Sequence, residues 1–145
     1  MSNNSARPSV QIVKVLLGAG ILSLGLVVWA QTVEKSSRVK EIPVTSKPLP
    51  DYPGHSLTAV EVDLAPGAKA AKHHHAGIVF AYVLEGNVRS QLNGGEVIGY
   101  QAGQYWVEPP GAEHTLTQNP SRTKPARLLA VLVASTGAEL TTYDK

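Results

Sequence analysis

The stretch KHHHAGIVFAYVLEG, residues 72–86, places three consecutive histidines before an apolar run that ends in Glu-Gly. The run is rich in β-branched and aromatic residues and is followed by a Gly-Asn turn signal, so it predicts a strand. Residues two apart on a strand point to the same face, which groups His73 with His75 and separates His74 from them. Such a pair is a common beginning of a metal site, but a histidine cluster on a surface loop is equally ordinary.

Strand-like runs continue on both sides of this stretch, separated by Gly and Pro. SLTAVEVDL precedes it, and VRSQL, EVIGY, QYWV, HTLTQ and ARLLAVLV follow it. No capped helix is evident after residue 30, so the pattern predicts a small all-β sandwich or barrel. The last run, ARLLAVLV, is too apolar for a strand with one face in water. Burial of both of its faces would be consistent with a homodimer.

A second chemical signal lies in GQYWVEPPGAEHTLTQN, residues 103–119. Here a Pro-Pro-Gly turn stands shortly before His114. A turn just before a histidine at the start of a strand can aim that side chain back into a barrel. Together with the His73–His75 pair, this arrangement is much stronger evidence for a metal site than either piece alone.

These two stretches resemble the two motifs of the cupin family. The residues that match the first motif, G-x5-H-x-H-x(3,4)-E-x6-G, are Gly67, His73, His75 and Gly86. Those that match the second motif, G-x5-P-x-G-x2-H-x3-N, are Gly103, Pro109, Gly111 and His114. The resemblance covers residues 56–133 and implies a jelly-roll β-barrel with a metal inside. By this resemblance His73, His75 and His114 would be the ligands.

The sequence departs from the family at the glutamate of the first motif, where Val79 stands. Val79 has the strand parity of His73 and His75, so we expect it inside the barrel. Glu85 shares that parity, but it lies beside the turn and is expected to be exposed. The sequence therefore predicts no fourth protein ligand. A divalent ion held by three neutral imidazoles would keep its double charge and favour anionic chelating ligands, with open positions where Fe(II) could take up oxygen beside a substrate.

Other residues are candidates for the surroundings of the site. Val79, Gln91 and Gln118 are expected near it, the two glutamines either as partners of a ligand or as barrel-lining groups satisfied by water. Tyr105 and Trp106 are expected to pack in the core or at a dimer contact. The imidazoles suit a divalent transition metal (Fe, Mn, Ni, Cu or Zn) without choosing among them.

Charge argues against a nucleic-acid partner. Two of the thirteen basic residues, Arg7 and Lys14, precede residue 31, so the remaining eleven balance the eleven acidic residues. A domain without net charge or a basic run lacks the positive surface by which proteins bind nucleic acid. The chain has no cysteine, which excludes disulfides and a lipoprotein anchor.

The N-terminus predicts export. Residues 1–30 hold an apolar core and end in Val28-Trp29-Ala30, an A-x-A-like cleavage site of a signal peptide. An uncleaved membrane-anchor helix is the alternative. The protein is then periplasmic or secreted, or anchored on the outer side of the cytoplasmic membrane. A Pro-rich extended approach segment, residues 31–54, would precede the barrel domain, residues 55–145.

These observations predict an exported metal-binding cupin. A divalent-metal-dependent oxidoreductase, dioxygenase-like and acting on a small organic substrate, is the first hypothesis. No residue stands out as a general base, which argues against a hydrolase or an isomerase and fits a binding module equally well. The alternative is a non-catalytic module that binds a small ligand or a metal. A degenerate barrel without metal is the third hypothesis, and the three intact histidines argue against it.

Overall fold

The computed structural model describes residues 38–144, and this part of the chain contains β-strands and no helix. The ten strands in chain order are β1 (Val39–Pro48), β2 (His55–Leu64), β3 (His73–His75), β4 (Ile78–Glu85), β5 (Asn87–Leu92), β6 (Ile98–Gln101), β7 (Tyr105–Glu108), β8 (Glu113–Gln118), β9 (Ala126–Ser135) and β10 (Thr141–Tyr143). The all-β prediction is thus confirmed for the described residues. The predicted signal peptide or anchor, residues 1–30, lies outside them.

Two five-stranded antiparallel sheets form the barrel, with strand orders β1-β2-β9-β4-β7 and β10-β3-β8-β5-β6. From β2 to β5 the chain alternates between the two sheets, which is the winding of a jelly roll. The first histidine pair therefore lies on β3 in one sheet, and the apolar run that follows it forms β4 in the other. Within residues 38–144 no helix is long and apolar enough to cross a membrane.

The core lies between the sheets because the strands alternate in side-chain direction. In β4, Val79, Ala81 and Val83 are buried while their neighbours are exposed or half-buried. Val83 and Val88 are fully buried in a cluster that Trp106 also joins. Burying each such valine contributes about 1.5–3 kcal/mol relative to leaving it in water. This cluster fixes the walls against which the histidines are held.

The final apolar run forms β9, which is paired with β2 on one side and β4 on the other. Its inward residues Leu128 and Leu132 are buried, whereas Leu129, Val131 and Val133 on the other face are half-buried. The central position in the sheet explains much of the run's apolar character. Its outer face nevertheless remains partly open to solvent within one chain.

Part of the expected approach segment belongs to the first sheet. Residues 39–48 form β1 and pair antiparallel with β2. The register shifts between Pro43 and Thr45, at the edge of the sheet, where a proline without a backbone N–H does not interrupt a central ladder. Residues 39–48 of the predicted approach segment therefore form an edge strand of the barrel.

Candidate metal centre

The three histidines lie together on neighbouring strands of the second sheet. His73 on β3 pairs directly with His114 on β8. One ligand nitrogen from each of His73, His75 and His114 lies within 4.8 Å of the others. His73 and His114 are 8% and 3% exposed, so the cluster faces the barrel interior. The predicted clustering of these three residues is confirmed.

Backbone carbonyls orient the rings of His73 and His75. Nδ1 of His73 lies 2.7 Å from the carbonyl oxygen of Ala71, and Nδ1 of His75 lies 3.1 Å from that of Leu140. A carbonyl only accepts, so Nδ1 carries the proton in both rings. Each Nε2 then has a free lone pair, which is the usual outer arrangement of a metal-binding imidazole.

His114 is oriented the other way round. Its Nε2 lies 2.8 Å from Oγ of Ser90 and 3.0 Å from Oγ1 of Thr117. Its Nδ1 is therefore the nitrogen that faces the other histidines. The site thus offers two Nε2 atoms and one Nδ1 atom as candidate ligands.

A carboxylate that the sequence interpretation missed lies beside the histidines. Glu108, at the end of β7, is 2% exposed. Its Oε1 lies 3.2 Å from Nδ1 of His114 and accepts a hydrogen bond of 2.8 Å from Nε1 of Trp106. Its Oε2 lies 3.7 Å from Nε2 of His75 and has no hydrogen-bond partner. The stretch QYWVE could have predicted this position. Residues two apart on a strand share a face, so a buried Trp106 places Glu108 on the same inner face.

Val79 is where the sequence placed it, inside the barrel and 1% exposed. It is the direct cross-strand partner of Glu108 on β7. Directly paired residues share a face of the sheet, with Cβ atoms about 4.5–5.5 Å apart. The acidic group absent from β4 is therefore supplied to the same region by the neighbouring strand.

The structure does not bring Gln91 or Gln118 to the cluster. The register between β5 and β8 shifts beyond Gln91, so that Leu92 is opposite His114 and Gln91 is opposite Leu116. This β-bulge reverses the parity after His114, because an extra residue is inserted on one strand.

The bulge turns Thr117 inward on β8, and Ser90 shares the inner face of β5 with Val88; both residues are buried. Gln118 is instead half-buried outside the cluster. The amide of Gln91 donates to the carbonyl of Gly95 in the next turn. Strand parity groups Ser90 with the buried Val88, whereas parity counted from His114 cannot identify Thr117 because the bulge lies between them.

Electrostatics favour an ionised Glu108 and a neutral His73. Burial by itself would raise the pKa of Glu108, but the hydrogen bond and charge of His114, with the Trp106 N–H, hold it below its ordinary value. Burial lowers the pKa of His73, although the Ala71 carbonyl opposes this. A carboxylate and an uncharged imidazole are the protonation states that bind metal ions.

The cluster opens on a cavity of about 140 Å³ between the two sheets. Val60, Val62, Leu128 and Leu132 are among its apolar walls, and Tyr143 also borders it. An apolar cavity of about 150 Å³ in another protein accommodates benzene. The space beside the histidines therefore suits a ligand of one ring or a few carbon atoms.

The side chains present fit a divalent transition metal. Imidazole nitrogens bind Zn, Cu, Fe and Ni ions, and the two outer carbonyls leave Nε2 of His73 and His75 available for that role. His73, His75 and His114 would hold the ion, with Glu108 adjacent. The donor set itself does not select one metal.

The fold and this cluster define a jelly-roll barrel with a candidate metal site, and the comparisons agree with that class. The model of the cupin domain family matches residues 60–132, about half of the chain, so the protein belongs to this family. No curated protein matches the sequence.

Solved structures share the fold. An uncharacterised conserved protein with a double-stranded β-helix domain from Klebsiella pneumoniae has a TM-score of 0.60 at 21% identity, over 76% of this chain and 87% of that one. DMSP lyase DddQ from Ruegeria pomeroyi has a TM-score of 0.53 at 18% identity, over 60% of this chain and 42% of that one. A variant of oxalate decarboxylase from B. subtilis has a TM-score of 0.52 at 25% identity, over 61% and 24% of the two chains.

Proposed function

We propose that this cupin binds a divalent transition metal through His73, His75 and His114 and acts as an oxidoreductase of the dioxygenase type on a small organic substrate. The observation that carries the proposal is the inward-facing cluster of three imidazoles at a small apolar cavity. Outer carbonyls orient two of these rings, as expected of a metal centre and not of a chance surface cluster.

The cavity supports a small and largely apolar substrate with an anionic end. Its walls are aliphatic on the side away from the histidines, and they exclude water from a bound ligand. When bound, the metal would supply Lewis acidity and, in the case of iron, redox chemistry. The chain's own contribution is to orient the imidazoles and to position the substrate against them. Oxalate decarboxylase shows that a barrel of this kind can house an enzyme.

A non-catalytic module that holds a metal or a small ligand is the second candidate. One observation favours it: Glu108, the carboxylate beside the histidines at the cavity, already interacts with Trp106 and His114. It is therefore poorly placed to act as a free general base. A binding module needs no such base.

The compartment and the assembly are part of the proposal. We propose that the protein is exported, because the first thirty residues have the composition of a signal peptide or an anchor. We also propose a homodimer, because large apolar side chains are exposed on the outer face of the first sheet.

The first test is the metal content of the tag-free full chain beside that of His114→Ala. We expect near-stoichiometric metal in the parent and its loss in the variant. His74→Ala is the matched control, since this neighbouring side chain is 43% exposed and points away from the cluster. Absence of metal in the parent, after anaerobic incubation with Fe(II), Mn(II), Ni(II), Cu(II) and Zn(II), would contradict the proposal.

Oxygen consumption then separates the two candidate functions. The metal-loaded protein is given catechols, enolisable diketones and small carboxylates, which offer the anionic chelating groups that a cationic centre favours. Uptake of oxygen that depends on one of these compounds supports a dioxygenase. Binding without uptake supports the module.

A further inference from the structure

We propose that Glu108 is the fourth protein ligand of the metal centre, supplied by β7 in place of the valine-bearing position on β4. The inference rests on the proposed metal centre and specifies its coordination. It reverses the expectation from the sequence that three imidazoles act without a carboxylate.

The spacing of the donor atoms supports direct coordination. Two ligands at about 2.0–2.2 Å from one ion are separated by about 3–3.6 Å at the angles of octahedral or tetrahedral sites. Oε1 of Glu108 lies 3.2 Å from Nδ1 of His114, within this range, and Oε2 lies 3.7 Å from Nε2 of His75, just above it. These two nitrogens do not take part in the hydrogen bonds to Leu140, Ser90 and Thr117.

The hydrogen bonding of the carboxylate divides its oxygens into a fixed one and a free one. Oε1 is fixed by the Trp106 N–H and lies beside His114. Oε2 is fully buried and has no hydrogen-bond partner. A buried carboxylate oxygen without a partner is costly, and a cation at the cluster would satisfy it. Carboxylates that bind metals commonly accept a hydrogen bond that orients them, and Trp106 donates such a bond to Glu108.

A purely orienting role for Glu108 fits the geometry less well. A carboxylate that orients a histidine binds one ring nitrogen while the other nitrogen ligates the metal. Here the other nitrogen of His114 contacts the hydroxyls of Ser90 and Thr117. The nitrogen beside Glu108 is thus the one available to the ion, and the two groups are adjacent as ligands would be.

Coordination by Glu108 would change the charge of the site. Three neutral imidazoles and one carboxylate leave a divalent ion with a single net positive charge. The centre would then favour a monoanionic ligand over a dianionic one.

The experiment measures Zn(II) affinity of the full chain by competition with a chelator. Glu108→Gln keeps the shape of the side chain, and we expect it to lower the Zn(II) affinity more than about 100-fold. Loss of a residue that only hydrogen-bonds a metal ligand typically lowers affinity by about 10–100-fold. Glu113→Gln is the matched control, because Glu113 precedes His114 but is 41% exposed. We expect the control to bind as the parent does.

A second pair of variants guards against misfolding. Glu108→Val should lose affinity, and the double variant Glu108→Val with Val79→Glu should regain much of it, because the two positions are direct partners. Circular dichroism of each metal-free protein checks that the barrel is folded.

The Zn(II)-loaded crystal structure distinguishes a ligand from a support. An oxygen of Glu108 at about 2.0–2.2 Å from the ion supports the inference. An ion held by the histidines with Glu108 bound only to His114 or to water would overturn it, as would parent-like affinity in Glu108→Gln. Absence of Zn(II) from the parent itself would instead refute the proposed metal centre.

Discussion

At the residue scale, Gly77 shows how closely the link that follows the histidine strand is packed against β9 of the first sheet. Gly77 lies between β3 and β4, two residues after His75, and is buried. A Cβ atom at this position would lie 2.0 Å from the carbonyl oxygen of Val133 and 2.8 Å from Cβ of Ala134. A side chain there requires the backbone to move, so the absence of a side chain is what allows the link between β3 and β4 to pass so close to β9.

We expect Gly77→Ala to lower the free energy of unfolding by about 1–3 kcal/mol, the usual cost of overpacking. Urea denaturation measures it. Gly99→Ala is the matched control, since nothing lies within 4 Å of a Cβ atom there, and it should change stability by less than about 0.5 kcal/mol. Equal stability of the two variants would show that the contact with Val133 relaxes freely.

At the element scale, Asn119 connects the end of β8 to the end of β2. It is fully buried. Its side-chain amide donates to the carbonyls of Leu64, Ala65 and Lys124, and its Oδ1 accepts from the N–H of Ser121. The second cupin motif ends in an asparagine four residues after its histidine. Gln118 stands at that position here, and Asn119 lies one residue beyond it. Its contacts indicate a structural role at the end of the strand.

Asn119→Ala removes four hydrogen bonds of a fully buried side chain, so we expect it to lower the free energy of unfolding by about 2–4 kcal/mol. The neighbouring substitution Gln118→Ala is the control, because Gln118 is only half-buried. It should cost less than about 1 kcal/mol. Chemical denaturation of both variants makes the comparison, and a smaller loss in Asn119→Ala than in the control would contradict this account.

At the scale of the whole molecule, the outer face of the first sheet carries an exposed aromatic and aliphatic group. Phe80 and Tyr105 are 40% and 58% exposed, and their rings lie 5.2 Å apart. Ile78 and Val107 on the same strands are 45% and 44% exposed. Contiguous apolar surface of this kind commonly marks an interface between proteins. This face supports the homodimer proposed above.

We expect Tyr105→Lys to convert the dimer to a monomer at micromolar concentration, because the lysine would place a charge in an apolar contact. Sedimentation velocity measures the change. Tyr52→Lys is the control, since Tyr52 is 69% exposed and lies in the loop between β1 and β2. A parent protein that sediments as a monomer at every concentration would refute the proposed dimer.

The sequence by itself determined the all-β class and the grouping of His73, His75 and His114. The all-β class and the His73–His75 pair follow from local patterns, namely strand alternation of period two and Gly and Pro at the turns, whereas His114 joined the pair through its turn and the resemblance to the second cupin motif. Both predictions are confirmed in the described residues, which form strands and bring the three imidazoles together.

Only the tertiary structure placed Glu108 beside the histidines and put Ser90 and Thr117, not Gln91 and Gln118, against His114. Each of these facts depends on which strands are neighbours and on where their register shifts. A β-bulge changes the face of every residue beyond it, yet it arises from pairing between strands distant in sequence. Parity counted along one strand can place Glu108 on the inner face, but it cannot detect a bulge or show which strands are neighbours.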